Sequence, residues 1–146
     1  MGATGETVSN VLVEQIGMRC PIGDCKTVLV DPYCASEVEA GNCYANSNML
    51  VMALKDRDAD ATDVYVPCAY EIPLLQIGAD YPVKPRASET WVVGQRLGFK
   101  DSSDIFVILT AAFNPVAYAL KAKAANASEC LIHFKGDTEA DIAISS

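Results

Sequence analysis

The chain has 146 residues, of which 51% are hydrophobic and 21% charged, and this balance excludes a disordered chain. This length fits one domain that can bury a substantial core without disulfides or a structural metal. The formal net charge is −8, and the eleven basic residues form no cluster, so we expect no nucleic-acid partner.

The N-terminal residues 1–9 are small and polar, which is typical of an arm. We therefore divide the chain into an N-terminal arm, residues 1–9, and a single β-rich globular domain, residues 10–146. The first eighteen residues contain no pattern of a signal peptide, so we expect cytoplasmic synthesis, with a virion or another extracellular assembly as a destination. The longest uncharged stretch, residues 105–120, contains Asn114 and Pro115 and is too short for a membrane span, so we expect no membrane partner.

Apolar and β-branched residues predict several strands in the first half of the chain. These strands lie at residues 8–18, 26–31 and 48–54. Residues 63–68 are also β-rich, but Pro67 and Pro73 predict a sheet edge or a bend, because proline cannot donate to a β-ladder. We expect residues 69–86 to form an extended loop.

The second half of the chain predicts a hairpin of two strands, residues 89–99 and 104–111. In the first strand Trp91, Val93 and Leu97 share one face, as a period of two requires. The second strand is apolar on both faces, so we expect both of its faces to be covered.

A helix is predicted at residues 115–125, because Asn114-Pro115 has the chemistry of a helix start and good helix formers follow. Asn126 can close this helix in a left-handed conformation. Gly136-Asp137 then predicts a hairpin turn between strands at residues 129–135 and 138–144. The predicted fold is mostly β, with α+β as the alternative: a β-sandwich or barrel-like domain with one helix before a C-terminal β-hairpin.

A loop of alternating carboxylates is the candidate metal site, because carboxylate oxygens are the ligands of hard cations such as Ca²⁺. Its members are Asp56, Asp58, Asp60 and Asp63. The loop differs from an EF-hand, since Ala61 replaces the glycine of the sharp turn and Pro67 replaces the bidentate glutamate. We favour a solvated loop between strands, with a cation site as the alternative interpretation.

We expect the six cysteines to be reduced, buried thiols, and disulfides or a metal site are the alternatives. Cys20 and Cys25 are separated by four residues, and Cys34 and Cys43 by eight, so neither pair gives the short knuckle of a structural zinc site. His133 is expected on the same strand face as its neighbours at positions 131 and 135. We expect a surface or interface histidine, and a catalytic dyad is the alternative if a cysteine lies beside it in the fold.

No motif for nucleotide binding, hydrolysis or zinc-dependent catalysis is present, so the sequence predicts no enzyme and no cofactor. We expect a structural subunit of a large assembly, such as a viral coat, decoration, connector or tail-tube protein, or a filament. Its partners are other protein subunits, most simply copies of itself, and the arm and residues 69–86 are the expected contact segments. The alternatives are a small ligand- or Ca²⁺-binding module and a small thiol-dependent enzyme.

Overall fold

A computed structural model describes residues 16–32, 37–46, 48–110, 112–137 and the backbone of residues 144–145. The structure is mostly β, and its strands form one sheet that curls into an open half-barrel. The predicted mostly-β, barrel-like class is therefore confirmed. The predicted arm at residues 1–9 lies outside the described residues.

The described residues contain ten strands, and a 3₁₀ turn at Ile22–Asp24 precedes the first. The strands are β1 (Lys26–Val30), β2 (Cys43–Asn46), β3 (Met49–Ala53), β4 (Val66–Gly78), β5 (Lys84–Pro85), β6 (Arg96–Lys100), β7 (Ile105–Ile108), β8 (Ala117–Ala119), β9 (Glu129–Lys135) and β10 (Ile144–Ser145). Their order across the sheet is β2-β3-β4-β9-β8-β6-β7-β5, while β1 pairs with β4 and β10 pairs with β6. The strands predicted at 26–31, 48–54 and 129–135 are confirmed.

The longest strand, β4, lies in the interior of the sheet. Ala69 pairs with Thr27 of β1 and also with Met52 of β3. Leu75 pairs with β9 and, through an isolated bridge, with Met18. Because a residue that pairs twice has a neighbour on each edge, β4 is a central strand.

The prediction of an edge or bend followed by a loop is therefore wrong for residues 66–78. Pro73 lies in the register shift between Ile72 and Leu75, where the ladder with β9 is interrupted and the missing N–H of proline does little harm. A proline at such an irregularity is compatible with a central strand. The rest of the predicted loop, residues 79–86, contains the short strand β5 and otherwise forms turns and bends.

The helix predicted at residues 115–125 does not form, because β8 occupies this segment and pairs with both β6 and β9. Alanine has a high intrinsic helix propensity, but Ala117 and Ala119 are buried between these strands. Cross-strand pairing outweighs the local preference. Asn126 is left-handed, with a φ of 70°, as predicted, but it lies in a turn.

Lys123 fixes the backbone that follows β8. Its side chain is only 2% exposed, and its ammonium donates to the carbonyls of Ala87, Glu89 and Ala124. The ammonium also lies 5.4 Å from the centre of the Trp91 ring, and the backbones of the two residues form a bridge. Because a buried ammonium must be hydrogen-bonded, these contacts of Lys123 hold the backbone after β8 in a non-helical conformation.

The hairpin of β6 and β7 is confirmed, with Lys100 paired to Ile105. The first strand is shorter than predicted, because a turn with Gly94 at a φ of 84° precedes it. Val93 lies in that turn and is 69% exposed, so it does not share the buried face with Trp91.

Both faces of β7 are covered in part. Phe106 is buried, and Ile105, Val107 and Ile108 are half-buried. The inner face of the half-barrel holds an edge-to-face aromatic row, in which the Phe106 ring lies 5.0 Å from Phe99 and 6.3 Å from Phe134. This row is the centre of the main hydrophobic core.

A second, smaller cluster lies on the opposite face of β3 and β4. Its buried members are Val38, Val51, Ala53, Val66 and Cys68. Because the side chains of a strand alternate between faces, β3 supplies Leu50 and Met52 to the main core and Val51 and Ala53 to this cluster.

The predicted hairpin turn at Gly136-Asp137 is not formed. The N–H of Gly136 donates to the Tyr70 carbonyl, and the Gly136 carbonyl accepts from the N–H of Leu50. Gly136 therefore extends β9 by one residue and hydrogen-bonds to the backbone of β4 on one side and of β3 on the other. Residues 138–143 lie outside the described residues, and Ile144 pairs in parallel with Phe99 of β6.

We expect Gly136→Ala to destabilise the fold by at least about 2 kcal/mol, because an added Cβ would lie 1.8 Å from the backbone oxygen of Leu50. Gly23→Ala is the matched control, since nothing lies within 4 Å of its Cβ position. Urea unfolding of both variants measures the difference. Equal stability of the two variants would contradict the close approach of β3 to residue 136.

Candidate functional site

The inner face of the sheet is left open at its β1 margin. The backbone N–H of Leu54, the residue after β3, donates to the Pro67 carbonyl of β4, and Pro67 pairs with Leu29 of β1, so the three residues form a row across the sheet. Leu54 is buried, Pro67 is half-buried and Leu29 is 65% exposed. The row therefore runs from a buried side chain of the core to an apolar side chain exposed to solvent.

A groove of about 910 Å³ lies over this row, and we call it the β1 groove. One wall is formed by β1 and the 3₁₀ turn before it, and the other by the loop between β3 and β4. Tyr65, which is 57% exposed, adds apolar surface to the second wall. Its main apolar lining residues are Ile22, Cys25, Leu29, Leu54, Tyr65 and Pro67.

The predicted cation loop forms part of this second wall. Asp56, Asp58 and Asp63 line the β1 groove, whereas Asp60 is exposed outside it. Asp56 Oδ1 accepts the backbone N–H of Ala40 at 2.8 Å, and Asp63 Oδ1 accepts that of Tyr65 at 3.1 Å. Asp63 thus stabilises the local turn, as aspartates often do, whereas Asp56 joins the loop to a segment distant in the chain.

Arg57 anchors the same loop to the sheet. Its guanidinium Nη1 lies 2.7 Å from Asp31 Oδ1 and donates to the Val64 carbonyl at 2.6 Å. The Arg57 side chain is only 9% exposed, whereas that of Asp31 is 50% exposed, so solvent still screens this ion pair in part. Arg57 therefore fixes this wall of the groove by contacting both Asp31 and Val64.

The described part of the chain contains no group of three or more His, Cys, Asp or Glu side chains placed to hold a metal ion. The four aspartates are therefore close in sequence without converging on one point. Calcium binding by this loop stays the alternative interpretation of the sequence.

The five described cysteines are free thiols, and Cys34 lies outside the described residues. Burial raises the pKa of Cys43 well above its usual value and that of Cys68 to about 12. Burial, followed by the neighbouring Cys20 thiol, raises the pKa of Cys25 to about 12, and burial also raises the pKa of Cys130. Thiols of this kind are protonated at neutral pH, whereas the nucleophile of a thiol enzyme is a thiolate.

His133 contacts a carboxylate that the sequence did not single out. Its Nε2 lies 2.8 Å from Glu71 Oε2, while Lys26 and Lys135 lie 3.4 Å and 4.0 Å from Glu71 Oε1. As predicted, His133 is on the half-buried face of β9, and its strand neighbours Ile132 and Phe134 are buried. The cluster links β1, β4 and β9 across the sheet.

Burial alone would raise the pKa of Glu71, but the hydrogen bond with His133 and the charges of Lys135 and Lys26 outweigh it. The pKa of Glu71 is therefore lowered from 4.5. A carboxylate shifted in this direction stabilises the fold above its ordinary pKa, and the stabilisation is lost as the pH falls through the lowered value.

Comparison of the chain with known proteins gives no match to a family model, to a curated sequence or to a solved structure. No helix within the described ranges is long and apolar enough to cross a membrane.

We expect Glu71→Gln to lower the free energy of unfolding by about 1 kcal/mol at pH 7, because the hydrogen bond to His133 and the ion pairs with Lys26 and Lys135 are lost. The difference from the unmodified protein should shrink as the pH falls through the lowered pKa of Glu71, where Glu71 itself becomes protonated. Glu129→Gln, at an exposed position of β9, is the control. A constant difference between pH 7 and pH 3 would contradict the assigned charge cluster.

We expect millimolar Ca²⁺ to leave the melting temperature unchanged, because Asp56 and Asp63 already accept backbone hydrogen bonds. Thermal melting with and without Ca²⁺ measures this, with Mg²⁺ as the control for ionic strength. A site with a dissociation constant a hundredfold below the Ca²⁺ concentration would add about 2.7 kcal/mol of stability. A shift of that size, abolished by Asp58→Asn, would establish the cation site.

Proposed function

We propose that the chain is a structural subunit of a protein assembly, of the coat, decoration, connector, tail-tube or filament type. It associates with copies of itself through the outer edge of β1, beside the β1 groove. The observation that carries this proposal is the exposed apolar margin of the sheet, with Leu29 at 65% exposure on a strand whose outer edge has no partner among the described residues.

The β1 strand has few of the features that protect sheet edges from pairing. Such features are charged side chains, proline and bulges. Lys26 carries the strand's only charge, and it lies at one end and contacts Glu71. Residues 27–30 contain no charge and no proline, and the register irregularity of β1 is confined to the Lys26 end.

A two-fold axis gives such a strand a simple partner. Antiparallel pairing of β1 with β1 of a second copy satisfies both free edges with one self-complementary contact. Pairing centred on Val28 places Lys26 opposite the partner's Val30, so the like charges stay apart. The exposed side chains of Leu29 and Tyr65 then have an apolar surface to pack against.

The size of the contact is a further consideration. Burying an exposed leucine contributes about 1.5 to 3 kcal/mol, and a two-fold contact buries Leu29 twice. A stable interface usually buries about 800 Å² on each partner, which is more than one strand provides. We expect the arm, residues 1–9, to add to the contact, as the sequence predicts.

The net charge of the chain predicts how its self-association depends on salt concentration. Two copies at −8 each repel one another, and salt screens this repulsion. Association driven by an apolar margin should therefore strengthen with ionic strength, whereas association through ion pairs should weaken.

We expect Leu29→Lys to raise the concentration at which the protein associates by at least about tenfold, because it removes an apolar contact and adds two like charges at the interface. Val93→Lys is the matched control, since Val93 is equally exposed but lies in the turn before β6. Light scattering behind size exclusion, over a range of protein and salt concentrations, gives the mass. A mass equal to one chain for the unmodified protein at every concentration, or equal effects of the two substitutions, would refute self-association through β1.

A further inference from the structure

Three sulfur atoms converge beside the 3₁₀ turn that precedes β1. Cys25 Sγ lies 3.4 Å from Met18 Sδ and 3.9 Å from Cys20 Sγ. The Cys20 and Cys25 side chains are partly buried against the main core, and Met18 is buried. Cys25 is thus the shared member of a thiol, thiol and thioether group.

The distances from Cys25 Sγ to the other two sulfurs are close to those between ligands around one metal ion. Sulfur ligands bound at about 2.3 Å lie about 3.8 to 4.0 Å from one another in tetrahedral or trigonal geometry. The distance between Cys20 and Cys25 falls in this range, and that between Cys25 and Met18 needs to widen by about half an ångström. A disulfide would instead require the two thiols to approach to about 2.05 Å.

The backbone holds the three residues in this arrangement. Met18 bridges to Leu75 of β4, and the neighbouring N–H of Arg19 donates to the Leu74 carbonyl. Within the turn, the N–H of Cys25 donates to the Ile22 carbonyl at 3.0 Å. The group is therefore fixed at one end to the central strand and at the other to the start of β1.

We propose that Met18, Cys20 and Cys25 form a binding site for a soft monovalent cation, Cu(I) being the natural representative of this class. Thiolate and thioether sulfurs are the ligands that this ion prefers, and it accepts three of them. A calcium or magnesium ion would require oxygen ligands, and structural zinc sites use four side chains rather than three sulfurs that include a thioether. Cys25 also lines the β1 groove, so an ion can reach the site from solvent.

The experiment is an anaerobic titration of the reduced, full-length protein with Cu(I), in competition with a chromogenic copper chelator. We expect one high-affinity equivalent, with X-ray absorption showing sulfur ligands at about 2.3 Å. Cys20→Ser and Cys25→Ser should abolish this equivalent. Met18→Leu, which conserves the core volume, should weaken it by roughly 10- to 100-fold, the range that loss of a supporting contact costs in metal sites.

Cys130→Ser is the matched control, because it also removes one thiol but lies on β9, where its Sγ donates to the Lys121 carbonyl. Circular dichroism of every variant establishes that the fold is retained. Equal loss of copper in the Cys130 and Cys25 variants, full affinity in Met18→Leu, or tighter binding of Zn²⁺ than of Cu(I) would each overturn the proposal. The proposal would also be overturned if Cys20 and Cys25 form a disulfide in air, seen as a mass loss of two daltons, and the protein binds no copper after this disulfide is reduced.

Discussion

Pairing on both edges of β4 is the constraint on which the rest of the structure depends. This strand of thirteen residues carries β1 and the Met18 bridge, and it also carries β3 and β9. The side chains along it feed the main core on one face and the smaller cluster on the other. Because β1 depends on β4 alone among the described residues, its outer edge and the apolar row at Leu29 are left uncovered.

The same arrangement explains why several unrelated features gather at the β1 margin. The Glu71 cluster lies where β1 and β9 meet on β4, and the three sulfurs lie where the chain enters β1. The groove wall is fixed independently, through Arg57 and Asp31. A margin that is rigid, apolar and open to solvent is suited to contact with another protein.

The sequence predicted the features that depend on local pattern. Alternation along β9 and the hairpin of β6 and β7 are visible in the residues themselves, because a period of two is a local property. The helix at residues 115–125 was predicted from the Asn114-Pro115 start and the helix formers that follow. The contact of Lys123 with Trp91 and the pairing of β8, which outweigh this pattern, involve residues far away in the chain. Gly136 looked like a turn residue, yet its role is to let two backbones approach, which only the fold shows.

The candidate site was predictable only in part for the same reason. The aspartate loop was found from its composition and three of its aspartates line the groove, but composition could not show that Asp56 and Asp63 accept backbone hydrogen bonds. Leu29 and Glu71 carry no sequence signal, since one is an ordinary strand residue and the other gains its partners across three strands. Met18 precedes the two cysteines closely, but nothing in the spacing shows that its sulfur faces Cys25.

The central claim is that the outer edge of β1 is a contact surface between copies. Amide hydrogen exchange, measured at several protein concentrations, tests it directly because it reports on the backbone groups that pairing would protect. We predict that protection of residues 26–30 rises with concentration, while protection of the turn at residues 92–95 stays constant. Exchange at β1 that is independent of concentration, in a protein whose mass shows association, would contradict the account and place the interface elsewhere.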